Sequence, residues 1–179
     1  MLQSEVAGGI LKHHILRLSD IGLRIARSES SYDVPQSKKV DLITLTHDRI
    51  VTDIRLRLCE LWDGTWVPER ALKDKYTRVP DGLFQFESSG VTVAVEIENS
   101  TKGRSRFVTI MNEWARTDTV RIVLYVATNQ AVFKAIEKLL PTAPQRPVFT
   151  LVDFDSLMRG QPSSLSPRGA LDLFTRRTL

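Results

Sequence analysis

One cysteine and three histidines are all that this 179-residue chain has of the residue types most used for metal binding and redox work. With Cys59 alone, no internal disulfide can form, which fits a reducing compartment. Cys59 also lies in an apolar helical pattern, which suits packing better than nucleophilic chemistry. His13 and His14 stand together without a cysteine or a third histidine nearby, too sparse a set for zinc. No apolar run approaches the roughly 18 to 20 residues needed to span a bilayer, so no membrane partner is expected. The opening "MLQSEVAGGILKHH" lacks a basic stretch leading into a sustained apolar one and a small-residue cleavage site. It does not read as a secretory signal, and a cytoplasmic location is expected. Walker A, GxGxxG, GxSxG and HExxH motifs are missing, which weighs against NTPase, dinucleotide-binding, serine-hydrolase and metalloprotease functions.

What is present is the composition of a globular protein, 42% hydrophobic and 26% charged. The length suits one core with a small appendage, and two full domains are not expected. A net charge of +4 leans toward polyanionic partners.

Along the chain, "ILKHHILRLSDIGLRIA" reads as a short strand, a Ser-Asp helix start and a few helical turns carrying Ile21, Ile25 and Ala26. "RSESSYDVPQSKK" reads as a linker ending near Lys39. A helix capped by Thr46 then carries Ile50, Ile54, Leu58 and Leu61 on one stripe, with Arg49, Asp53, Arg57 and Glu60 opposite. A short strand at Thr65 to Val67 and a helical turn at Glu69 to Lys73 follow. "GLFQFES", a Ser-Gly turn and "VTVAVEIE" form a hairpin. Strand alternation puts Val91, Val93, Val95 and Ile97 on one face, and Thr92, Ala94, Glu96 and Glu98 on the other. A helix from Arg104 to Arg116 carries Phe107, Ile110, Met111 and Trp114 at helical spacing. "TVRIVLYVAT" reads as a strand buried on both faces, followed by the helix "NQAVFKAIEKLL" and a last strand in "PVFTLVDFDSL". The tail from Arg159 ends in "ALDLFTRR", a terminal helix or a disordered segment. Trp62, Trp66 and Trp114 fall at core positions. The organisation expected is an appendage and linker over residues 1–39, an α/β core over 40–158 with a mixed sheet flanked by helices, and a tail over 159–179.

Chemistry concentrates at one sheet edge. Asp81 directly precedes the first hairpin strand, and Glu96 and Glu98 end the second. In an antiparallel pair the start of one strand lies beside the end of the other, so three carboxylates meet there. Oxygen-only donors are what Mg²⁺ or Mn²⁺ prefers, and such an ion activates water and neutralises a phosphate under attack. Lys102 is within reach to orient that water or to stabilise negative charge. Gly103, Arg104 and Arg106 at a helix start offer a place for phosphate. The same residues also suit an ordinary solvated surface, where acids end strands and lysines begin helices.

The segments "LTHDRIVTDIRLRL", "WVPERALK", "RVPDG", "VAVEIENSTKGRSRF" and "VLYVAT", in that order over roughly residues 42 to 140, resemble the plasmid replication-relaxation family of mobile-element proteins. More broadly, "PDG" followed by "EIE" and a nearby lysine resembles the PD-(D/E)XK nuclease superfamily. The resemblance implies a three-layer α/β/α core running helix, strand, strand, strand, helix, strand. It also implies Mg²⁺-dependent cleavage of DNA in replication or transfer, with replication or transfer proteins as further partners. Asp81 and Glu96 then match the two acidic metal ligands, and Glu98 stands where the superfamily has its lysine. Either Lys102 takes over that role from the helix, or the fold is kept for DNA binding or assembly without cleavage. Asp53, Glu60 and Glu69 are the candidates for a further acid from the first helix region, and His47 for a base or a phosphate contact. Tyr76 as a covalent nucleophile is a lesser expectation than Tyr76 as a packing residue. The segment "HHILRLSDIGLRIA" resembles the last strand and helix of a winged-helix domain.

Overall fold

Seven strands side by side form the larger sheet, in the same order in space as in sequence. The computed structural model describes residues 2–7, 13–29, 44–73, 75–171 and 173–174. Two compact units result, Met1–Thr46 and His47–Leu179. In the first, β1 (Leu2–Ala7) pairs antiparallel with β2 (His13–Leu18). Helix α1 (Asp20–Ser28) follows, its first turn capped by Ser19 Oγ accepting from Gly22 N–H at 3.2 Å. Most of the expected linker, like the final "TRRTL", lies outside the described residues.

The rest runs α2 (Leu45–Leu61), β3 (Gly64–Pro68), a 3-10 turn (Glu69–Ala71), β4 (Gly82–Phe86), β5 (Thr92–Glu98), α3 (Arg104–Trp114), β6 (Ile122–Ala127), α4 (Gln130–Leu139), β7 (Val148–Asp153), α5 (Phe154–Met158), β8 (Ser164–Ser166) and β9 (Gly169–Leu171). Strands β3, β4 and β5 are antiparallel, β5, β6 and β7 parallel, and β7, β8 and β9 antiparallel again. The protein is thus α/β with a mixed sheet flanked by helices. The tail from Arg159 supplies β8 and β9 and lengthens the sheet, and the first two residues of its "ALDLFTRR", expected as helix or disorder, fall in β9. Thr46 lies inside α2, which begins a residue earlier than the cap expected there.

Two apolar layers hold the helices to the sheet. Ile54 and Leu58 of α2 and Leu157 of α5 pack with Phe84, Val93, Val95 and Val126 on one face. Phe107, Met111 and Trp114 of α3 and Val132 and Ile136 of α4 pack with Ala94, Val123 and Tyr125 on the other. Strand alternation therefore divides β5 as its sequence requires, valines one way and Ala94, Glu96 and Glu98 the other. Helices α2 to α5 each close an apolar stripe against the sheet, and such packing is the main source of helix stability in a protein. Arg57 ties α2 to α5 by donating from Nε to Leu157 O at 3.1 Å. Cys59, expected in an apolar setting, is exposed on α2.

Two glycines are needed for different reasons. A methyl group added at Gly82 would stand 1.9 Å from the ring of Trp66 on the neighbouring strand β3. Gly90 has φ +64 with open space around it. Gly82→Ala is expected to lower the free energy of unfolding in guanidinium by about 3 kcal/mol, through overpacking. Gly90→Ala should cost only about 1 kcal/mol, from backbone strain. Equal losses at the two sites would contradict this packing account.

Candidate functional site

The parallel strands share a register in which Glu98, Ala127 and Asp153 lie abreast, so their carboxyl ends form one edge. Helices α3, α4 and α5 all begin there. Asn129 caps α4 by accepting from Val132 N–H at 3.0 Å, and Asp153 caps α5 by accepting from Ser156 N–H at 2.9 Å. Gly103 gives α3 no side-chain cap, and α3 has no acid in its first turn. Exposed Arg104 and Arg106 occupy that first turn instead. Helix N-termini and cations at the carboxyl edge of parallel strands are a common place for anions to bind.

The hairpin delivers Asp81 to the same edge. Gly82 pairs with Val95, and the Asp81 carboxylate reaches across to accept from Ile97 N–H at 2.7 Å through Oδ2. Its Oδ1 lies 3.0 Å from His47 Nε2, joining α2 to the hairpin. A carboxylate only accepts, so Nε2 carries the proton. His47 Nδ1 faces the Asn99 amide at 3.2 Å. The hydrogen bond to Asp81 raises the His47 pKa above its ordinary value; burial opposes this, and the charges of Asp81, Asp48 and Glu69 add to it.

Glu96 and Glu98 are almost fully buried, at 6% and 3% exposure. Each has a cation drawn to it. Arg78 Nε donates to Glu96 Oε1 at 2.9 Å, and Trp114 Nε1–H donates to the same oxygen at 3.1 Å. Arg78 Nη1 also donates to Glu113 Oε2 at 3.3 Å. Lys102 Nζ donates to Glu98 Oε1. Burial pushes the Glu96 pKa up to about 7, with the charges of Asp81 and Glu98 pushing the same way and Arg78 against. Tyr125, the register partner of Glu96 on β6, has a buried hydroxyl without a hydrogen-bond partner among the described residues. Burial and the Glu96 charge drive its pKa well above the usual range for tyrosine.

The residues expected from the sequence, Asp81, Glu96, Glu98, Lys102 and His47, thus gather at one edge, with Arg104 and Arg106 beside it. Their arrangement differs in one respect. Rather than turning toward a common point, each carboxylate is engaged by its own cation or N–H. Among the described residues, no group of three or more His, Cys, Asp or Glu side chains could hold a metal ion. The donor chemistry suits Mg²⁺ or Mn²⁺, all oxygen with three mutually repelling acids, but coordination would require those acids to exchange partners. Of Asp53, Glu60 and Glu69, Glu69 is the one whose charge acts on His47. Glu60 pairs with Arg57 at 2.6 Å. Tyr76 is partly buried against the core, as a packing residue would be. The side chains of His13 and His14 lie outside the described residues.

Sequence reasoning missed Arg78, Asn99 and Tyr125. Arg78 stands three residues before Asp81, and only the folding of that segment over the sheet brings it to Glu96. Trp114 was legible as core, but the use of its N–H on a carboxylate was not; a buried indole nitrogen needing an acceptor is the signal that points to it. No known protein family, curated protein or solved structure matches the chain.

A pH dependence follows from Glu96. Its folded pKa of about 7 lies above its ordinary value of 4.5. The fold therefore favours the protonated form, and the stability it confers is complete below about 4.5 and lost as pH rises through about 7. His47, also raised, adds a loss of the same sign. Guanidinium unfolding should show stability falling between pH 5 and pH 8, on the order of 3 kcal/mol from Glu96. Glu96→Gln should flatten most of that slope. An equally steep slope in the variant would show that another group carries it.

Proposed function

We propose that this chain is a DNA-processing protein of a plasmid or other mobile element, related to the plasmid replication-relaxation family and built on the PD-(D/E)XK nuclease-like plan. Its activity in this reading is Mg²⁺- or Mn²⁺-dependent cleavage of the phosphodiester backbone during replication or transfer. The observation that carries it is the placement of the acids: Asp81 at the start of β4 and Glu96 and Glu98 at the end of β5. They stand on a run of helix, strand, strand, strand, helix, strand, from α2 to β6. Asp81 and Glu96 are the residues to hold the ion, with Glu98 beside them. A bound ion supplies a Lewis acid and an activated water. Lys102, released from Glu98, supplies the positive charge that the superfamily takes from the position of Glu98. Arg104, Arg106 and the open start of α3 hold phosphate, and His47, bound to Asp81 and Asn99, contributes a further contact in this reading. The hairpin and helix of Met1–Thr46 are in keeping with a winged-helix remnant.

A second reading is favoured by the pairing of every acid in the site with its own donor. Here the domain binds DNA, or assembles with replication or transfer proteins, without cutting. Compensated acids then serve to fix the loop and helix start that grip the backbone.

Supercoiled plasmid incubated with the protein and Mg²⁺ or Mn²⁺ separates the two. Cleavage predicts nicked product, reduced about 10- to 100-fold or more by Asp81→Asn. Binding alone predicts no nicking with either metal, and a salt-dependent affinity that Asp81→Asn leaves intact. In that case Arg104→Ala and Arg106→Ala should each lower the slope of log affinity against log salt by about one. If the protein neither nicks nor binds DNA, cleavage and DNA binding are both lost and only assembly with partner proteins is left of the second reading.

A further inference from the structure

On the far side of Arg78 from Glu96, a cleft of about 480 Å³ opens between the segment leading into β4 and the C-terminal end of α3. Its lining is Thr77, Arg78, Val79, Glu113, Arg116 and Thr117. The volume falls within the range of small-ligand sites, roughly 300 to 1,000 Å³. None of these residues was marked by the sequence.

Arg78 is held far more rigidly than a counter-ion needs to be. Its Nε is fixed on buried Glu96, its Nη1 on Glu113, and its guanidinium lies over the Trp114 ring with the carbon 5.7 Å from the ring centroid. A guanidinium has five N–H donors in one plane. Two are used in these bonds, and the other three have no acceptor among the described residues. A planar fork whose orientation is already fixed loses little freedom on meeting the paired oxygens of a phosphate. Exposed Arg116 and Thr77 line the same cleft. Thr117 gives only a long bond, 3.4 Å, to Glu113 O. The one acid on the lining, Glu113, and Glu96 beside it are both bound to Arg78, which leaves exposed Arg116 as the cation of the cleft with no acid bound to it among the described residues.

We propose that this cleft is a phosphate-binding subsite, in which the fork of Arg78 takes two oxygens of one phosphate group and Arg116 closes over them. The source of the phosphate, a nucleic-acid backbone, rests on the function proposed above; a free nucleotide presents the same chemistry. Because one guanidinium serves both Glu96 and the cleft, occupancy is felt at the Trp114 indole that shares Glu96 with it.

The test is an NMR titration of the ¹⁵N-labelled full chain, following the Trp114 indole N–H. The probes are inorganic phosphate, thymidine 5′-monophosphate and a short DNA duplex. A saturable shift is expected, with half-saturation raised about tenfold by Arg116→Ala, equivalent to the loss of one good contact. Arg116 is exposed, so this variant should fold. Arg78→Lys, which keeps a charge beside Glu96 but loses the fork, should abolish the response. Tighter binding of the duplex assigns the phosphate to a nucleic-acid backbone, and tighter binding of the monophosphate assigns it to a free nucleotide. No saturable shift with any probe, or an unchanged titration in Arg116→Ala, overturns the subsite. A retained phosphate response in a protein that neither nicks nor binds DNA removes the proposed function and leaves the subsite standing. DNA binding without any Trp114 response does the reverse.

Discussion

Glu96 sits on a central strand, against Trp114, where an ionised carboxylate has almost no water around it. Removing such a charge from water costs several kcal/mol unless a partner is brought to it. The partner is Arg78, and bringing it there dictates the path of the chain before β4. The same guanidinium reaches Glu113, so one buried acid ties together the pre-strand segment, β5 and α3. Apolar residues of similar size would hold these elements together at least as well. Stability alone therefore gives little reason to keep an acid at this position, which is consistent with a role in chemistry or recognition.

The same logic extends along the carboxyl edge. Asp81 is fixed by a backbone N–H and shared with His47, and Glu98 is shared with Lys102. Alternating acids and bases fasten α2, the hairpin, β5 and the loop into α3 without leaving a bare buried charge. The basic groups that remain exposed, Arg104 and Arg106, lie where the first turn of α3 adds its own partial positive charge. The acids thus organise the edge, and the first turn of α3 offered outward is basic.

Much of this was legible because it depends on short-range periodicity. The alternation of "VTVAVEIE" put Glu96 and Glu98 on one face, the turn before it brought Asp81 alongside, and the spacing of Phe107, Ile110, Met111 and Trp114 identified the buried side of α3. What remained hidden depends on tertiary placement. Arg78 and Glu96 are 18 residues apart, His47 and Asp81 34, and His47 and Asn99 52. No local pattern sets those distances. Strands β8 and β9, three residues each, are too short to show an alternation at all. Cys59 shows the limit of pattern reading from the other side, since an apolar neighbourhood in sequence left it on the outer side of α2. The direction in which each buried acid turned was equally beyond reach, because it depends on which cation arrives first in space.

The unbroken spatial order of β3 to β9 has a consequence for how the chain is made. Each strand emerging from the ribosome finds its neighbour already synthesised, so the sheet can grow from one side without any strand being inserted between two others. Packing of α2 has to wait longer, and Trp62 at its end waits longest among the described contacts. Its indole N–H donates to Leu173 O, 111 residues later, and its ring stacks on Phe174. A large aromatic surface made early in synthesis must therefore wait for nearly all of this chain before it is fully covered. During that interval it is exposed to other nascent chains and to chaperones.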